Sequence, residues 1–487
     1  MKPSRLIAGG LGILLLLVSI WLLQAAQAGL RVIQVPSAQP PITFILPQEA
    51  ELGTRPLILI GHGFAGSGQL MRGFALTLAH AGYVTALWDF DGHGSNPKPL
   101  ASLRDSWSLL ANAEAVLAEA RQRGLGAPGQ VAILGHSMGS GVALNFGQAH
   151  PETAATIAVS PVSVAVTPEL PHSLLLMAGS LEGSFVGNAE KLLEEAGGEG
   201  GDPAAGTGRK LVVIPGVEHI TILFKPLTHA TARQWLDAVF GPQPGARDYI
   251  DRRVLWLGLG VLGTLLASVS LIPGMKPSGS ANRSLPSRLL ALIGGALGAT
   301  VILWLAGQAG LELSQIFGVL VGGYLMVWFG VAGVIATLVL QPQLNWPSRK
   351  AIIVGLLVFG VLWLGVGLLG DQVWLPWLLI PRRLLLWPLG AILLLPWFLV
   401  VGETSSQAKP IGRLGWWAFH SLVLVGSLLL ALRLSAGLYF ILLILPLFPA
   451  VLALHVLATL SQGERWVFGL SSALFVSWIL LAVFPLQ

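Results

Sequence analysis

The second half of the sequence is built from apolar runs that follow one another almost without interruption. Each run is close to the length of about 20 residues that an α-helix needs to cross the hydrocarbon core of a bilayer. Residues 246–487 are therefore predicted to form a polytopic membrane domain of about eight transmembrane helices. The runs lie at residues 254–272, 289–306, 316–340, 351–369, 384–401, 416–432, 438–460 and 467–484.

Composition supports this membrane assignment and separates the chain into two parts. Of the 487 residues, 54% are hydrophobic and only 10% are charged, which is too apolar for an ordinary soluble protein. Residues 30–245 carry 12 Lys and Arg against 17 Asp and Glu, whereas the rest of the chain carries 16 against 6. The excess of basic residues therefore lies outside residues 30–245. This is the distribution expected of loop charges that orient membrane helices, and it argues against a nucleic-acid surface.

Residues 1–29 have the pattern of a signal anchor, with a cleaved signal peptide as the alternative. Lys2 and Arg5 precede an apolar run at residues 6–23, and Ala26-Gln27-Ala28 could serve as a cleavage site. The run of 18 residues is longer than a usual signal-peptide core, which favours the anchor. In either case residues 30–245 are predicted to be exported.

The distribution of positive charges also predicts that residues 30–245 are exported. The protein is accordingly expected to be a multi-pass protein of the plasma or inner membrane. With a cytoplasmic amino terminus, ten basic residues lie inside and only Arg382, Arg383 and Arg433 lie in short outer loops. The ionisable residues Glu312, Asp371, Glu403, His420 and His455 lie at or near spans, where a functional role is the alternative, but most can be placed at solvated span ends and that position is expected. The ten inner residues are Lys2, Arg5, Lys276, Arg283, Arg288, Arg349, Lys350, Lys409, Arg413 and Arg465.

Residues 30–245 have the texture of an α/β domain. Short continuous apolar runs alternate with helical patterns at residues 69–81, 107–123 and 227–240. Such strands and helices predict a mostly parallel sheet with helices on both faces. The predicted strands are residues 42–46, 57–60, 84–90, 131–134, 156–159, 174–177 and 211–214.

Gly135-His136-Ser137-Met138-Gly139 lies between one of these strands and a predicted helix. The pattern is G-x-S-x-G, in which a strained turn exposes the serine hydroxyl and the glycines allow close backbone approach. A serine hydroxyl needs an imidazole base and a carboxylate that orients the imidazole. Ser137 is therefore a candidate nucleophile.

Two later strands are followed by residues of the required types. Glu182 follows the strand at residues 174–177, and His219 follows the strand at residues 211–214. Parallel strand ends meet at one edge of a sheet, so Ser137, Glu182 and His219 are predicted to converge. Asp202 and Glu218 remain alternatives for the acid.

The remaining requirement is a pair of backbone donors for an oxyanion. Met138 follows the serine, and the loop Gly61-His62-Gly63-Phe64-Ala65-Gly66 offers the N–H of Phe64. His62 and His93 are expected to brace their turns. The chain has no cysteine, and its histidines and acids have no metal-ligand spacing, so neither a cofactor nor a metal is predicted.

These motifs resemble the α/β-hydrolase superfamily, in particular its esterase, dienelactone-hydrolase-like and peptidase-like branches. The resemblance spans residues 57–240 and implies Ser137 as nucleophile, Glu182 as acid, His219 as base, and Phe64 and Met138 as oxyanion donors. The sequence departs from the family pattern in two ways. The acid is a glutamate where aspartate is commoner, and residues 160–173 are too few for the helical cap that many relatives insert. The motifs are His62-Gly63-Phe64, Asp91-Gly92-His93-Gly94-Ser95, Gly135 to Gly139, Glu182 and His219.

The sequence thus favours a membrane-bound serine hydrolase acting on an ester, thioester or amide from the non-cytoplasmic side. Its expected partners are the lipid bilayer and a small-molecule or lipid-like acyl substrate, with no nucleic acid. An acyltransferase with the same triad is one alternative, since both share the acyl-enzyme half-reaction. The other is a transporter or envelope scaffold with a non-catalytic hydrolase-like domain, because eight spans exceed what an anchor needs.

Overall fold

The computed structural model describes residues 3–101, 109–278, 284–341, 345–405 and 408–487. The chain forms two compact units. The membrane unit comprises Met1–Ile20, Leu257–Leu369 and Trp377–Gln487, and the α/β unit comprises Trp21–Trp256 and Gly370–Pro376. Lys2, Arg283 and the start of the predicted helix 107–123 lie outside the described residues.

The membrane unit is mainly helical, with one two-stranded sheet formed by Met275–Ser278 and Gln462–Glu464, and helices are numbered here along the whole chain. Among the described residues, nine helices are long and apolar enough to cross a membrane. Each predicted run coincides with one of them, although the span predicted from residue 316 begins at Gly322, after a single 3-10 turn. The spans are α1 (Pro3–Ala25), α7 (Arg253–Leu271), α8 (Leu285–Gln308), α9 (Gly322–Leu340), α10 with α11 (Arg349–Asp371), α12 (Pro381–Ser405), α13 (Pro410–Leu434), α14 with α15 (Ile441–Ala458) and α16 (Arg465–Val483).

Three ionisable groups expected at solvated span ends are buried inside the membrane unit. Arg465 Nη1 lies 3.0 Å from Glu403 Oε2, and both side chains are buried. His420 and His455 are also buried, whereas Glu312 is exposed. The solvated-boundary expectation is therefore wrong for Glu403, His420 and His455, because packing between helices covers positions that span length alone places near the ends.

The α/β unit is built on an eight-stranded sheet in the order β1-β2-β4-β3-β5-β6-β7-β8. Pairing is antiparallel at β1–β2 and β2–β4, and parallel across the rest of the sheet. The predicted mostly parallel sheet is confirmed, and β1 adds an edge strand that was not predicted. The strands are β1 (Leu30–Val35), β2 (Ile42–Pro47), β3 (Leu57–Gly61), β4 (Val84–Trp88), β5 (Val131–His136), β6 (Ala155–Val159), β7 (Leu174–Gly179) and β8 (Arg209–Ile214).

Helices cover both faces of this sheet. Strand β7 shows the arrangement, because alternate side chains of a strand point to opposite faces. Leu175 and Met177 join an apolar cluster with residues of α2 and α6, whereas Leu174 and Leu176 join a cluster with residues of α4 and α5. The helices are α2 (Arg72–His80), α3 (Leu110–Gln122), α4 (Met138–Ala149), α5 (Gly183–Glu195) and α6 (Pro226–Phe240).

The carboxyl ends of the parallel strands form the edge on which candidate side chains collect. β3 and β5 run in register with Gly61 beside Gly135, and β7 and β8 with Gly179 beside Ile214. The connection from β6 to β7, residues 160–173, is described throughout and contains no helix. A helical cap is therefore not inserted at this point.

Candidate active site

Ser137 occupies the turn between β5 and α4. Its backbone has φ 54° and ψ −118°, a conformation that L-residues adopt only under strain. A Cβ at Gly135 would collide with the carbonyl oxygen of Gly139, and one at Gly139 would lie 2.5 Å from the carbonyl oxygen of His62. Both glycines are therefore required for the chain to pass through this turn.

Ser137, His219 and Glu182 form a continuous hydrogen-bonded chain. Ser137 Oγ lies 3.0 Å from His219 Nε2, and His219 Nδ1 lies 2.8 Å from Glu182 Oε2. Because an ionised carboxylate only accepts hydrogen bonds, it holds the imidazole proton on Nδ1 and leaves the Nε2 lone pair facing the hydroxyl. The imidazole can therefore take the proton of Ser137.

Glu182 is fixed by hydrogen bonds from the ends of β6 and β7. Its Oε1 accepts from Ser160 Oγ at 2.7 Å and from the Gly179 N–H at 2.6 Å, and its side chain is only 4% exposed. The alternative acids serve their own loops: Asp202 accepts from the Ala204 N–H, and Glu218 from the N–H groups of two residues that follow it. The geometry favours Glu182 as the partner of His219.

Two aromatic rings position His219. Phe185, in the first turn of α5, stacks on its imidazole with ring centroids 4.3 Å apart. His136 Nε2 lies 2.9 Å from the carbonyl oxygen of His219, so this nitrogen carries a proton and donates. Burial, together with the adjacent His219, holds the pKa of His136 well below its usual value. His136 is therefore neutral at pH 7 and adds no positive charge beside His219.

The two predicted oxyanion donors lie on backbone next to the hydrogen-bonded side chains of Ser137, His219 and Glu182. Met138 opens α4, and the first N–H groups of a helix have no partner inside it. Phe64 and Ala65 form the centre of a turn closed by the Gly66 N–H donating to Gly63 O at 3.0 Å. A Cβ on Gly63 would lie 3.1 Å from Ser137 Cβ, so this turn passes directly against the serine. The role of the two N–H groups stays a prediction.

His62 supports the base of the same turn. Its Nδ1 donates to Gly63 O at 2.7 Å, and its Nε2 accepts from the Phe90 N–H at 3.0 Å. Burial lowers the pKa of His62, and this outweighs the opposing effect of nearby Asp89. Both ring nitrogens are thus used to hold backbone, as expected for a structural histidine.

A comparison with family models identifies this fold. The family described as "Serine aminopeptidase, S33" matches residues 53–192, a segment that includes Ser137 and Glu182 and ends before His219. The α/β unit has the α/β-hydrolase fold. The resemblance found in the sequence is thereby confirmed for this part of the chain, which we call the hydrolase domain.

Three solved structures that are similar to this domain have low sequence identity to the chain. A protein assigned as a dienelactone hydrolase from Klebsiella pneumoniae is 16% identical, with 43% of this chain and 98% of that chain covered and a TM-score of 0.35. A bacterial membrane phospholipase A is 15% identical over 47% and 92%, with a TM-score of 0.36. A monoglyceride lipase variant from Saccharomyces cerevisiae is 15% identical over 42% and 94%, with a TM-score of 0.31. A search of curated proteins found no match to the chain.

Two residues that contact the candidate site were not predicted from the sequence. Ser160 donates to Glu182, and Phe185 stacks on His219. The position of Ser160 at the end of a predicted strand is a signal of the kind that selected Glu182. Phe185 carries no comparable signal, since an aromatic residue in a helix most often packs into a core.

Proposed function

We propose that the chain is a membrane-bound serine hydrolase that cleaves an ester, thioester or amide through an acyl-enzyme on Ser137. The observation that carries the proposal is the hydrogen-bonded chain from Ser137 Oγ through His219 to Glu182, with distances of 3.0 and 2.8 Å. The strained turn at Ser137 and the match to a hydrolase family support it.

In the proposed reaction Ser137 Oγ attacks the substrate carbonyl carbon while His219 Nε2 takes the hydroxyl proton. Glu182 stabilises the imidazolium that forms, and the N–H groups of Phe64 and Met138 donate to the new oxyanion. Collapse of the tetrahedral intermediate breaks the bond to the leaving group, which receives the proton from His219. Water, deprotonated by His219, then attacks the acyl-enzyme and releases the acid, returning Ser137 to its hydroxyl form.

We also propose that the acyl compound has an apolar, lipid-like part. Leu181, directly before Glu182, is 68% exposed, and half-buried Phe185 lies against His219. Apolar side chains exposed beside a polar site favour a ligand with an apolar portion. Basic residues are in excess in every second connection between the candidate spans, and this supports a hydrolase domain on the non-cytoplasmic side.

Covalent labelling of the purified full-length protein with a fluorophosphonate tests this proposal. We expect stoichiometric modification at Ser137, and no labelling or turnover of 4-nitrophenyl butyrate in Ser137→Ala or His219→Ala. Because the two residues act as a unit, the double variant should be no worse than either single one. The exposed Ser37→Ala serves as control. Modification of a residue other than Ser137, or none at all, would refute the proposed mechanism.

A further inference from the structure

A short loop from the membrane half of the sequence is part of the hydrolase domain. The loop Gly370–Pro376 connects the candidate spans Arg349–Asp371 and Pro381–Ser405, yet it clusters with residues 21–256. It lies about 115 residues beyond the end of that segment. We refer to it as the 370–376 loop.

Three hydrogen bonds and one apolar contact hold the loop in place. Ser67 Oγ donates to Trp374 O at 3.3 Å, and Arg72 Nη1 donates to Gln372 Oε1 at 3.1 Å. Arg253 Nη1 donates to Gln372 O at 2.7 Å. The Trp374 side chain packs against the apolar cluster that contains residues of α2 and α6.

Arg253, which donates to the backbone carbonyl group of Gln372, is itself fixed. Arg253 forms two hydrogen bonds to Asp251, from Nε at 2.8 Å and from Nη2 at 2.7 Å, and both side chains are almost fully buried. Burial alone would raise the pKa of Asp251, but its hydrogen bonds with Arg253 hold it below the usual value. Asp251 is therefore ionised at neutral pH, and its hydrogen bonds to Arg253 give the loop a rigid attachment.

The other attachment leads to the candidate oxyanion turn. Ser67 follows Phe64 by three residues and is fully buried. The adjacent Gly68 N–H donates to Asp89 Oδ1 at 2.8 Å, and the Leu70 N–H donates to Ser67 O at 3.1 Å. The segment between β3 and α2 is thus held against Ser137 at Gly63 and against the 370–376 loop at Ser67.

We propose that the 370–376 loop positions the oxyanion turn, with Trp374 and Ser67 as positioning residues. This inference rests on the proposed function. Backbone donors stabilise an oxyanion only when they lie at hydrogen-bond distance from the place where it forms, and misplacement by about 1 Å can cost roughly 100-fold in rate. Trp374 anchors the loop in the apolar cluster, and its carbonyl group holds Ser67, which fixes the backbone that carries the Phe64 N–H.

A loop that only stabilised the fold would have a different effect on the measured kinetics when it is mutated. Loss of stability lowers the number of intact active sites but leaves the rate at each site unchanged. Loss of positioning lowers kcat at every intact site, with little effect on KM, because the oxyanion exists only in the transition state and the tetrahedral intermediate. The two roles are separated by dividing the rate by the number of sites that react to completion with a fluorophosphonate.

The experiment compares full-length Trp374→Ala, Trp374→Phe and Trp346→Ala with the wild type, using 4-nitrophenyl butyrate as substrate. We expect kcat per labelled site to fall at least tenfold in Trp374→Ala, with KM within twofold. Trp374→Phe should recover most of the rate because it retains an aromatic anchor. Trp346, 92% exposed and near the start of the span at residue 349, provides the matched control and should leave kcat unchanged.

A second variant covers the case in which Trp374→Ala does not fold. Ser67→Ala removes a single hydroxyl group, and kcat per labelled site should fall at least threefold at an unchanged unfolding temperature. An unchanged kcat per labelled site in Ser67→Ala, or in folded Trp374→Ala, overturns the inference. Absence of wild-type labelling at Ser137 would instead overturn the proposed function on which the inference rests.

Discussion

At the scale of single residues, the candidate site shows which contacts a sequence pattern can predict. Ser137, Glu182 and His219 follow predicted strands, so their meeting at one sheet edge follows from parallel topology. Ser160 also follows a predicted strand, but its contact with Glu182 depends on a backbone turn with φ 48° that strand position alone does not predict. Local motifs therefore predicted which three side chains meet, but not the donor that fixes Glu182.

The environment of Glu182 leads to a sharp prediction for Glu182→Gln. The amide oxygen should stay with the two donors Ser160 Oγ and Gly179 N–H, so the NH₂ group would face His219 Nδ1. That nitrogen must then accept, which moves the imidazole proton to Nε2 and removes the base from Ser137. We expect kcat to fall on the order of 10⁴-fold, as a wrong tautomer does in related triads, with an almost unchanged unfolding temperature.

The rate of acyl-enzyme formation and thermal unfolding measure these two effects. Glu190→Gln, the same chemical change on an exposed glutamate of α5, is the matched control and should behave as wild type. Near-normal activity of Glu182→Gln would transfer the acid role to Asp202 or Glu218.

At the scale of secondary structure, continuous apolar runs predicted the buried strands, and the exception is instructive. β1 was missed because Leu30–Val35 is an edge strand with exposed and half-buried positions, and it lacks the continuous apolar run of a strand covered on both faces. The start of α2 was placed three residues early, since Ser67 to Met71 form turns that a helical period does not distinguish.

Charged residues of the membrane unit show a second limit of pattern reading. Arg413 was counted as an orienting loop charge, yet its Nη1 donates to Thr459 O at 2.9 Å and to Gln462 O at 2.6 Å. Arg383 likewise donates to Phe484 O at 2.7 Å. Both side chains donate to backbone carbonyl groups at or shortly after helix ends, which is a local role that charge counting does not reveal.

The glycines of the Ser137 turn give a prediction at the same scale. In Gly139→Ala the new Cβ would lie 2.5 Å from His62 O and 2.7 Å from Gly61 O, so backbone on both sides must move. We expect loss of fluorophosphonate labelling and an unfolding free energy lower by roughly 1 to 3 kcal/mol, as for other overpacked positions. Gly187→Ala is the matched control, because that glycine also lies in a helix but has open space around its Cβ position.

Thermal unfolding and labelling of the two alanine variants decide the matter. Gly187→Ala should retain full labelling and unfold at an equal or slightly higher temperature, since alanine is favoured over glycine inside helices by about 1 kcal/mol. Equal behaviour of both variants would show that the Ser137 turn tolerates a side chain at Gly139.

At the scale of the whole molecule, the 370–376 loop links chain order to membrane topology. The loop and residues 30–245 belong to one compact unit, so they must lie on the same side of a membrane. Four of the candidate spans found in the described residues separate them, and an even number of crossings returns the chain to the starting side. A miscount by one span would place the loop opposite the domain it contacts. Sequence patterns could count the spans but not foresee this contact, because it joins residues about 300 apart.

Single cysteines test this topology, because the natural chain has none and background labelling is absent. Leu52→Cys reports on the hydrolase domain, Leu378→Cys on the connection after the 370–376 loop, and Trp346→Cys on the preceding connection. All three positions are well exposed.

In spheroplasts, a membrane-impermeant maleimide should modify Leu52→Cys and Leu378→Cys rapidly, and Trp346→Cys only after the membrane is permeabilised. This follows because one span separates residue 346 from residue 378, and the basic residues place residue 346 inside. Modification of Leu52→Cys and Leu378→Cys from opposite sides would contradict the even span count, and rapid modification of Trp346→Cys alone would invert the proposed orientation.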